Sequence, residues 1–378
     1  MSDGILDAIM SECRSREMYL ADTYAPFFVS SYACHRFNVM NQRREIYWES
    51  KRIPNIRSHL LFVAPPGFMK TYYLTNFGGL ENSIFGDTGT DLCFKETMSE
   101  ASFIGSFSPA TRSGGGNRIE GVAQTHADGI VIVDEFTAVL NALKAQYNGQ
   151  FEPQLLAALD HGNIQKDLAS GSLDYKTHLT LWSGIQPTRF DMTAGLGRRF
   201  NYLLYIPTEQ DNAILRQAKR KARNMKINSL ELKRLHNKIR DFNDGINMIS
   251  SIEFSSEIDD YYDEKKLFNF ETGIFDKIAL GYYLAANGPD KHMCIEMDST
   301  MRRLFDEQRE WRTSLQQGVD FVMINNIITK WGGVIHQSDL AEECMMYGWN
   351  AADVGRLVRS MKETGLLRGV GRKIEQVK

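Results

Sequence analysis

Two stretches of this chain combine residue types that can hold and split a phosphate anhydride. The first is Ala64-Pro65-Pro66-Gly67-Phe68-Met69-Lys70-Thr71, preceded by the apolar run His59-Leu60-Leu61-Phe62-Val63 and followed by Tyr72-Tyr73-Leu74. Strand, tight loop and Lys-Thr at a helix start make a P-loop arrangement. Loop amides wrap phosphates, the lysine reaches the β- and γ-phosphates, and the hydroxyl holds Mg²⁺. The usual pattern has glycine at both ends of the loop; those places hold Ala64 and Met69, and Gly67 remains. The competing reading is a Pro-Pro-Gly turn with a solvated Lys70. The second stretch is Gly129-Ile130-Val131-Ile132-Val133-Asp134-Glu135-Phe136. Two carboxylates closing a β-branched run are costly unless they have partners or a task. Beside a phosphate loop the first acid supports Mg²⁺ and the second polarises the attacking water. Otherwise both favour the start of a helix over residues 136–147.

The whole chain must position these groups. It has 378 residues, 43% hydrophobic and 24% charged, with a formal net charge of −3. That suits two or three globular domains. The balance gives no global basic field, so nucleic-acid binding has to rest on local patches. Five scattered cysteines without CxxC or Cys/His spacing predict a reduced chain without zinc. With no secretory leader evident and no run of about 18 apolar residues, the expected location is cytoplasmic, without a membrane partner.

Periodicity predicts helices over 5–50, with Pro26 as a break or a helix start, and a polar loop over 51–58. Strands are expected at 59–63, 129–133, 179–184 and 201–206, and a helix at 151–162. Candidate strands 101–107 and 118–124 flank Ser113-Gly114-Gly115-Gly116, a hairpin tip or an ordinary surface loop. Polar residues 163–174 suit a hairpin turning at Gly171. Strands alternating with helices predict an α/β parallel sheet with its ligand at the carboxyl ends of the strands. Residues 211–242 read as a basic helical region, either a solvated face or a phosphate contact. An acidic connector at 253–264 and further helix over 267–313, with Phe275, Ile278, Leu280 and Leu284 facing a core, complete a helical subdomain.

Three helices are expected at 319–331, 339–346 (capped by Ser338) and 351–364 (capped by Asn350 and stopped at Gly365), then strands 366–368 and 373–375. This is a winged-helix pattern. Arg356, Arg359 and Lys362 on its last helix, with Arg368, Arg372 and Lys373 on the wing, predict DNA contact; protein contact is the other use of such a module. The resulting division is a helical leader 1–55, an α/β core 56–210, a helical lid or linker 211–317 and a winged helix 318–378.

Taken in order, these segments resemble the AAA+ core of the minichromosome maintenance (MCM) replicative helicases. That family's loop also lacks the second glycine, usually having alanine where Met69 stands. Its Walker B stretch reads Ile-Asp-Glu-Phe, and Val133-Asp134-Glu135-Phe136 is similar. Residues 119–123 and 127–129 resemble the family's approach to Walker B. The resemblance makes 101–124 a helix-2 insertion facing a central channel, and 163–174 a pre-sensor-1 hairpin. The family puts a DNA-contacting lysine on that hairpin; Leu168 takes its place here, with Lys166 nearby. Gln186-Pro187 stands where the family has Asn-Pro, and Arg198-Arg199-Phe200 resembles its Ser-Arg-Phe. Lys277, Arg302 and Arg303 are the candidates for a sensor-2 residue. The resemblance covers about residues 25–310 plus the winged helix, without the family's large N-terminal DNA-binding region.

The resemblance implies a hexameric ring with ATP and Mg²⁺ between subunits. Ala64, Pro65, Pro66, Gly67, Phe68, Met69, Lys70, Thr71 and Tyr72 would surround the nucleotide, and Thr71 and Asp134 the metal. Glu135 would activate water, Gln186 would sense the γ-phosphate, and Arg199 would reach a neighbour's nucleotide. DNA would meet Lys166, Arg356, Arg359, Lys362, Arg372 and Lys373. The expected activity is a DNA-dependent ATPase and helicase in replication, with other replication proteins as further partners. The alternative is a nucleotide-gated initiator or loader scaffold of a mobile element or virus that binds DNA without unwinding it.

Overall fold

The computed structural model describes residues 4–376 apart from 45–46, 49–50, 53–55, 109–116, 138, 141–150, 169–170, 188–195, 208, 223–226, 347–348, 350 and 364. In chain order it opens with α1 (Leu6–Ser15) and α2 (Ala21–Arg44), then the short strands β1 (Tyr47–Trp48) and β2 (Lys51–Arg52). Next come β3 (His59–Val63), α3 (Lys70–Leu74) running into a π-helical turn (Thr75–Gly79), and β4 (Leu92–Lys95). α4 (Glu100–Ile104), β5 (Gly105–Phe107), β6 (Arg118–Glu120) and α5 (Val122–Thr125) precede β7 (Ile130–Val133). α6 (Phe151–Leu159), β8 (Asn163–Leu168), β9 (Gly171–Lys176), β10 (Thr180–Ile185) and β11 (Phe200–Leu204) follow.

Five of these strands make one parallel sheet, in the order β11-β3-β10-β7-β4. Every residue of β3, β7, β10 and β11 is buried. That is why their sequences read as continuous apolar runs rather than alternations: helices cover both faces. α2 is one cover. It is buried on nearly every side from Tyr24 to Asn41, the polar residues Ser30, Ser31, His35 and Asn38 included. Its Tyr24 ring lies 5.0 Å from Phe62 of β3, and Phe28 meets Trp182 of β10 edge-on at 5.3 Å. Ser31 Oγ takes the Trp182 Nε1–H at 2.7 Å.

The other side of α2 packs on α10 (Asn269–Asn287). Ser30 Oγ donates to the Ile278 carbonyl at 3.0 Å, and a Cβ on Gly281 would stand only 2.1 Å from the Ser30 carbonyl oxygen. The other elements of this part of the chain are α7 (Glu209–Ala222), α8 (Ser229–Gly245), β12 (Ser251–Phe254), α9 (Ser256–Lys265), β13 (His292–Ile295) and α11 (Ser299–Gln317). One apolar core runs from Ile5 to Leu315. A second, from Met323 to Ile374, holds together α12 (Val319–Lys330), α13 (Gln337–Met346) and α14 (Ala351–Glu363) with β14 (Val334–His336), β15 (Leu367–Val370) and β16 (Lys373–Gln376). The last three form an antiparallel sheet, β14-β16-β15.

Several local expectations need correction. Pro26 does not break the helix; it lies inside α2. A helical proline costs about 3 kcal/mol, whereas burying side chains such as Tyr24, Phe27 and Phe28 stabilises by about 1.5–3 kcal/mol each. The strand expected at 101–107 is a helix to Ile104, because Ser99 Oγ caps it by accepting from Ser102 N–H at 3.2 Å, and only 105–107 pairs with 118–120. The hairpin tip at 113–116 lies outside the described residues. The acidic connector 253–264 is mostly β12 and α9, and β12 joins β13, β1 and β2 in a four-stranded sheet. Ser338 is not the cap of α13, which starts one residue earlier; the Ser338 amide goes to His336 Nδ1 at 3.4 Å. Asn350 and most of the helix expected at 136–147 lie outside the described residues. Gly365 does end α14 with φ 76°, a left-handed stop that glycine adopts without steric cost.

Candidate active site

β3 sends the chain across β10 and β7 to β4, and β10 sends it across β3 to β11. Neighbouring strands whose connections leave in opposite directions open a crevice at their carboxyl ends. The loop 64–69 leaves β3 there, Asp134 and Glu135 leave β7, and Gln186 leaves β10. The ladder continues past the strands and fixes the acidic pair: Asp134 N–H bonds Lys95 O at 3.0 Å, and Phe136 N–H bonds Gly184 O at 2.8 Å.

The loop is tightly wound. Ala64 N–H bonds Ile185 O at 3.1 Å, and Lys70 N–H bonds Phe68 O at 2.6 Å. Gly67 takes φ 77° and Met69 takes φ 42°. Methionine therefore occupies a left-handed backbone position at the place where the loop pattern usually has glycine. Such a residue costs about 1–3 kcal/mol and persists where its surroundings over-determine it. Met69 is 6% exposed, so burial of its side chain offsets that strain. The N–H groups of Gly67 and Met69 have no acceptor among the described residues. Pro65 is buried, Pro66 is exposed, and Phe68 lies half-buried with its ring 5.8 Å from Tyr205.

Lys70 is 7% exposed. Its Nζ donates to the carbonyls of Ala64 at 2.7 Å and Pro65 at 2.9 Å. Burial pushes its pKa down to about 8, against the opposing pull of Glu135 and Asp134. Thr71, one residue on, donates from Oγ1 to Asp134 Oδ1 at 2.7 Å. The two stretches singled out in the sequence therefore meet through a hydroxyl and a carboxylate, beside a desolvated ammonium. Glu135 is half-buried and accepts from the Thr137 hydroxyl and, at 3.3 Å, from its N–H. Gln186 is half-buried at the end of β10.

Gly184 is a part of this site that motif reading missed. A Cβ there would stand 2.8 Å from the Asp134 carbonyl oxygen and 3.2 Å from Lys70 Cβ. The lysine stem lies directly on the backbone of β10, which only glycine permits. The signal available in the sequence was a glycine inside an otherwise apolar strand.

A cavity of about 270 Å³ adjoins the loop. Its wall comes from residues 67–72, from Glu17 and Tyr19 after α1, and from Leu215 and Ala218 of α7. Tyr72, 38% exposed, lines it and donates to the Arg16 carbonyl at 3.1 Å. The Tyr19 hydroxyl is held by Asp211.

Arg199 is not in this crevice. It immediately precedes β11, and Phe200 pairs with His59 at the opposite end of β3 from the loop. At about 3.3 Å per residue the two ends of β3, a strand of 5 residues, lie roughly 13 Å apart. Arg199 makes an ion pair with Asp160, just beyond α6. Lys166 is not displayed: its side chain is 10% exposed and its ammonium is held by Glu100. The hairpin around it is formed, with Asn163 facing Lys176 and Leu168 facing Gly171. Lys277 is near Arg57 and Asp160, at the end of the sheet away from the loop; Arg302 lies 5.4 Å over the Tyr261 ring, and Arg303 bonds Asp22 O at 3.0 Å.

In the last 60 residues, Arg356 and Arg359 of α14 are exposed, and so are Arg372 and Lys373 at the turn from β15 to β16. Lys362 is half-buried, with its Nζ 3.3 Å from where a Gly369 Cβ would stand. Arg368 is paired with Glu375 at 2.7 Å. Spacings of three residues put 356, 359 and 362 along one face of the helix.

No protein-family model matches the chain, and no curated protein matches it. Among the described residues no helix is long and apolar enough to cross a membrane.

Proposed function

We propose that this chain binds ATP with Mg²⁺ in the crevice after β3, hydrolyses it between subunits of a ring, and acts on DNA, as an ATPase of the AAA+ type similar to the MCM helicases. The observation that carries the reading is the Thr71–Asp134 hydrogen bond of 2.7 Å beside the buried Lys70. The residues fit the ligands. Mg²⁺ takes hard oxygens and is usually held by one or two protein groups plus phosphate oxygens; Thr71 and Asp134 offer that set. Two amides without acceptors, at Gly67 and Met69, and an ammonium bonded only to its own loop carbonyls among the described residues suit phosphate oxygens. The aromatic and apolar cavity beside them suits the nucleobase.

In this reading Lys70 exchanges the carbonyls of Ala64 and Pro65 for phosphate oxygens. Mg²⁺, when bound, neutralises charge on the β- and γ-phosphates. Glu135 turns from Thr137 to the attacking water and takes its proton, and Gln186 orients that water. Arg199 lies too far from its own chain's loop to touch the same nucleotide, so it serves the next subunit's. The module after residue 318, three helices and a three-stranded sheet, acts as a winged helix with α14 toward DNA and the β15–β16 turn on its phosphates.

The test is ATP turnover by the full chain with and without single-stranded DNA, with Lys70→Ala as control and particle mass measured with ATP. DNA-stimulated turnover that Lys70→Ala abolishes, by a multimer, is expected. Turnover unaffected by Lys70→Ala would remove the reading. One observation favours the scaffold alternative: Lys166 is engaged by Glu100 rather than displayed for DNA. Strand displacement on forked DNA separates the two.

A further inference from the structure

The root of the hairpin β8–β9 is gripped by two guanidinium groups of different character. Arg57, just before β3, is 2% exposed and donates to the carbonyls of Ala158 at 2.8 Å, Asp160 at 2.6 Å and Leu179 at 3.1 Å. His59 adds a second fixed bond. The Leu181 amide donates to its Nδ1 at 3.0 Å, so Nε2 carries the proton and gives it to the Leu159 carbonyl at 3.0 Å. These bonds to backbone are buried and tie the hairpin root to the strand that carries the phosphate loop. The second grip is the ion pair from Arg199 to the Asp160 carboxylate, with side chains 18% and 46% exposed. A pair that solvent reaches is the breakable one.

What happens at this root is felt by both hairpins. Lys166 of β8 is paired with Glu100, and Tyr175 of β9 donates to the Ile104 carbonyl at 2.7 Å. The Arg118 guanidinium of β6 lies 6.0 Å from the centre of the Tyr175 ring. The two hairpins are thus joined side to side.

We infer that Asp160 is a positioning residue for Arg199. In the resting subunit it stores the guanidinium against the hairpin root; when Arg199 goes to a neighbour's nucleotide, the root loses one of its two grips and both hairpins are released to move. This rests on the trans role proposed for Arg199. Occupancy of one subunit's site is thereby reported to the hairpins of the next, with Arg57 and His59 remaining as the hinge.

The experiment is amide hydrogen exchange over residues 160–168 in the full chain, with and without a non-hydrolysable ATP analogue, at a concentration that assembles it. Binding of a fluorescent ATP analogue is measured in parallel. In the wild type the nucleotide should speed exchange there several-fold. In Asp160→Asn exchange should already be fast without nucleotide, and nucleotide should add nothing. Wild-type acceleration in Asp160→Asn, or none in a wild type that binds the analogue, overturns the positioning role alone. Failure of the wild type to bind the analogue overturns the functional reading beneath it. Should Asp160→Asn not fold, the charge-exchanged pair Asp160→Arg with Arg199→Asp replaces it. Slow exchange that nucleotide no longer changes is expected of that pair, and retained acceleration in it counts against the proposal.

Discussion

Thr71 Oγ1 and Asp134 Oδ1 stand 2.7 Å apart, joining the loop after β3 to the end of β7. If this pair holds the metal, both Thr71→Ala and Asp134→Asn should raise the magnesium concentration needed for half-maximal turnover. Asp134→Asn should also cut turnover at least about 100-fold, since charge stabilisation by a bound metal is worth several kcal/mol. A magnesium titration of turnover checks this; wild-type profiles in both variants would refute it.

Glu135 sits next to that pair with its carboxylate turned to Thr137. As the general base, its replacement by glutamine should slow hydrolysis by about 10²–10⁴-fold while ATP binding persists. Stopped-flow binding and single-turnover hydrolysis on the same sample separate the two effects. Near-normal turnover would leave Glu135 as a helix-start residue only.

Arg199 lies at the opposite end of the sheet from its own chain's loop; on the proposed reading its loss is felt by a neighbour. Arg199→Ala alone should lose about 10³–10⁵-fold in rate, by analogy with other trans arginines in phosphoryl transfer, and Lys70→Ala alone should be inactive. Mixed together they should regain part of the activity, because some interfaces then combine an intact Lys70 with an intact Arg199. Absence of rescue at every mixing ratio would rule the trans role out.

Lys70 carries a pH signature. Burial holds its pKa at about 8, below the ordinary 10.5. Between those values the unfolded chain binds more protons than the folded one, so stability rises with pH across that window. Binding a polyanion favours the charged ammonium and raises the pKa again. ATP affinity should therefore be flat below pH 8 and fall by about tenfold per unit above it. Calorimetry in buffers of different ionisation enthalpy should show a proton taken up on binding near pH 9. No uptake would mean that the ammonium does not meet the phosphates.

Gly184 gives a prediction independent of chemistry. A methyl group placed 2.8 Å from the Asp134 carbonyl oxygen and 3.2 Å from Lys70 Cβ has to push one of them aside. Gly184→Ala should destabilise the fold by about 1–3 kcal/mol, the usual range for overpacking, and weaken ATP binding further. Urea denaturation and nucleotide titration measure the two. An alanine variant as stable and as tight-binding as the wild type would show that the stem of Lys70 has room to spare.

The loop 64–69 and the acidic pair were readable in the sequence because each closes an apolar run, and a run buried on both faces leaves an unbroken signature. The same reasoning located β3, β7, β10 and β11 to within one or two residues. It missed β12 and β13, four residues each, whose polar residues face out and whose partners are distant in sequence. It read Pro26 by local geometry, while tertiary burial of α2 governs. The pairs Arg199–Asp160 and Lys166–Glu100 were invisible for a related reason: nothing in a chain's order says which charge a lysine or arginine will meet 39 or 66 positions away.

The positions of the loop 64–69 and Arg199, at opposite ends of the adjacent strands β3 and β11, have a consequence for assembly. On the proposed reading one copy contributes its front and the next its back, so a two-fold dimer would leave every centre half-built. Successive copies have to follow each other with one sense of direction, closing if their rotation completes a circle and growing into a filament if it does not. Such an object has a polarity before any nucleic acid enters it. On dilution its output should fall more steeply than its concentration.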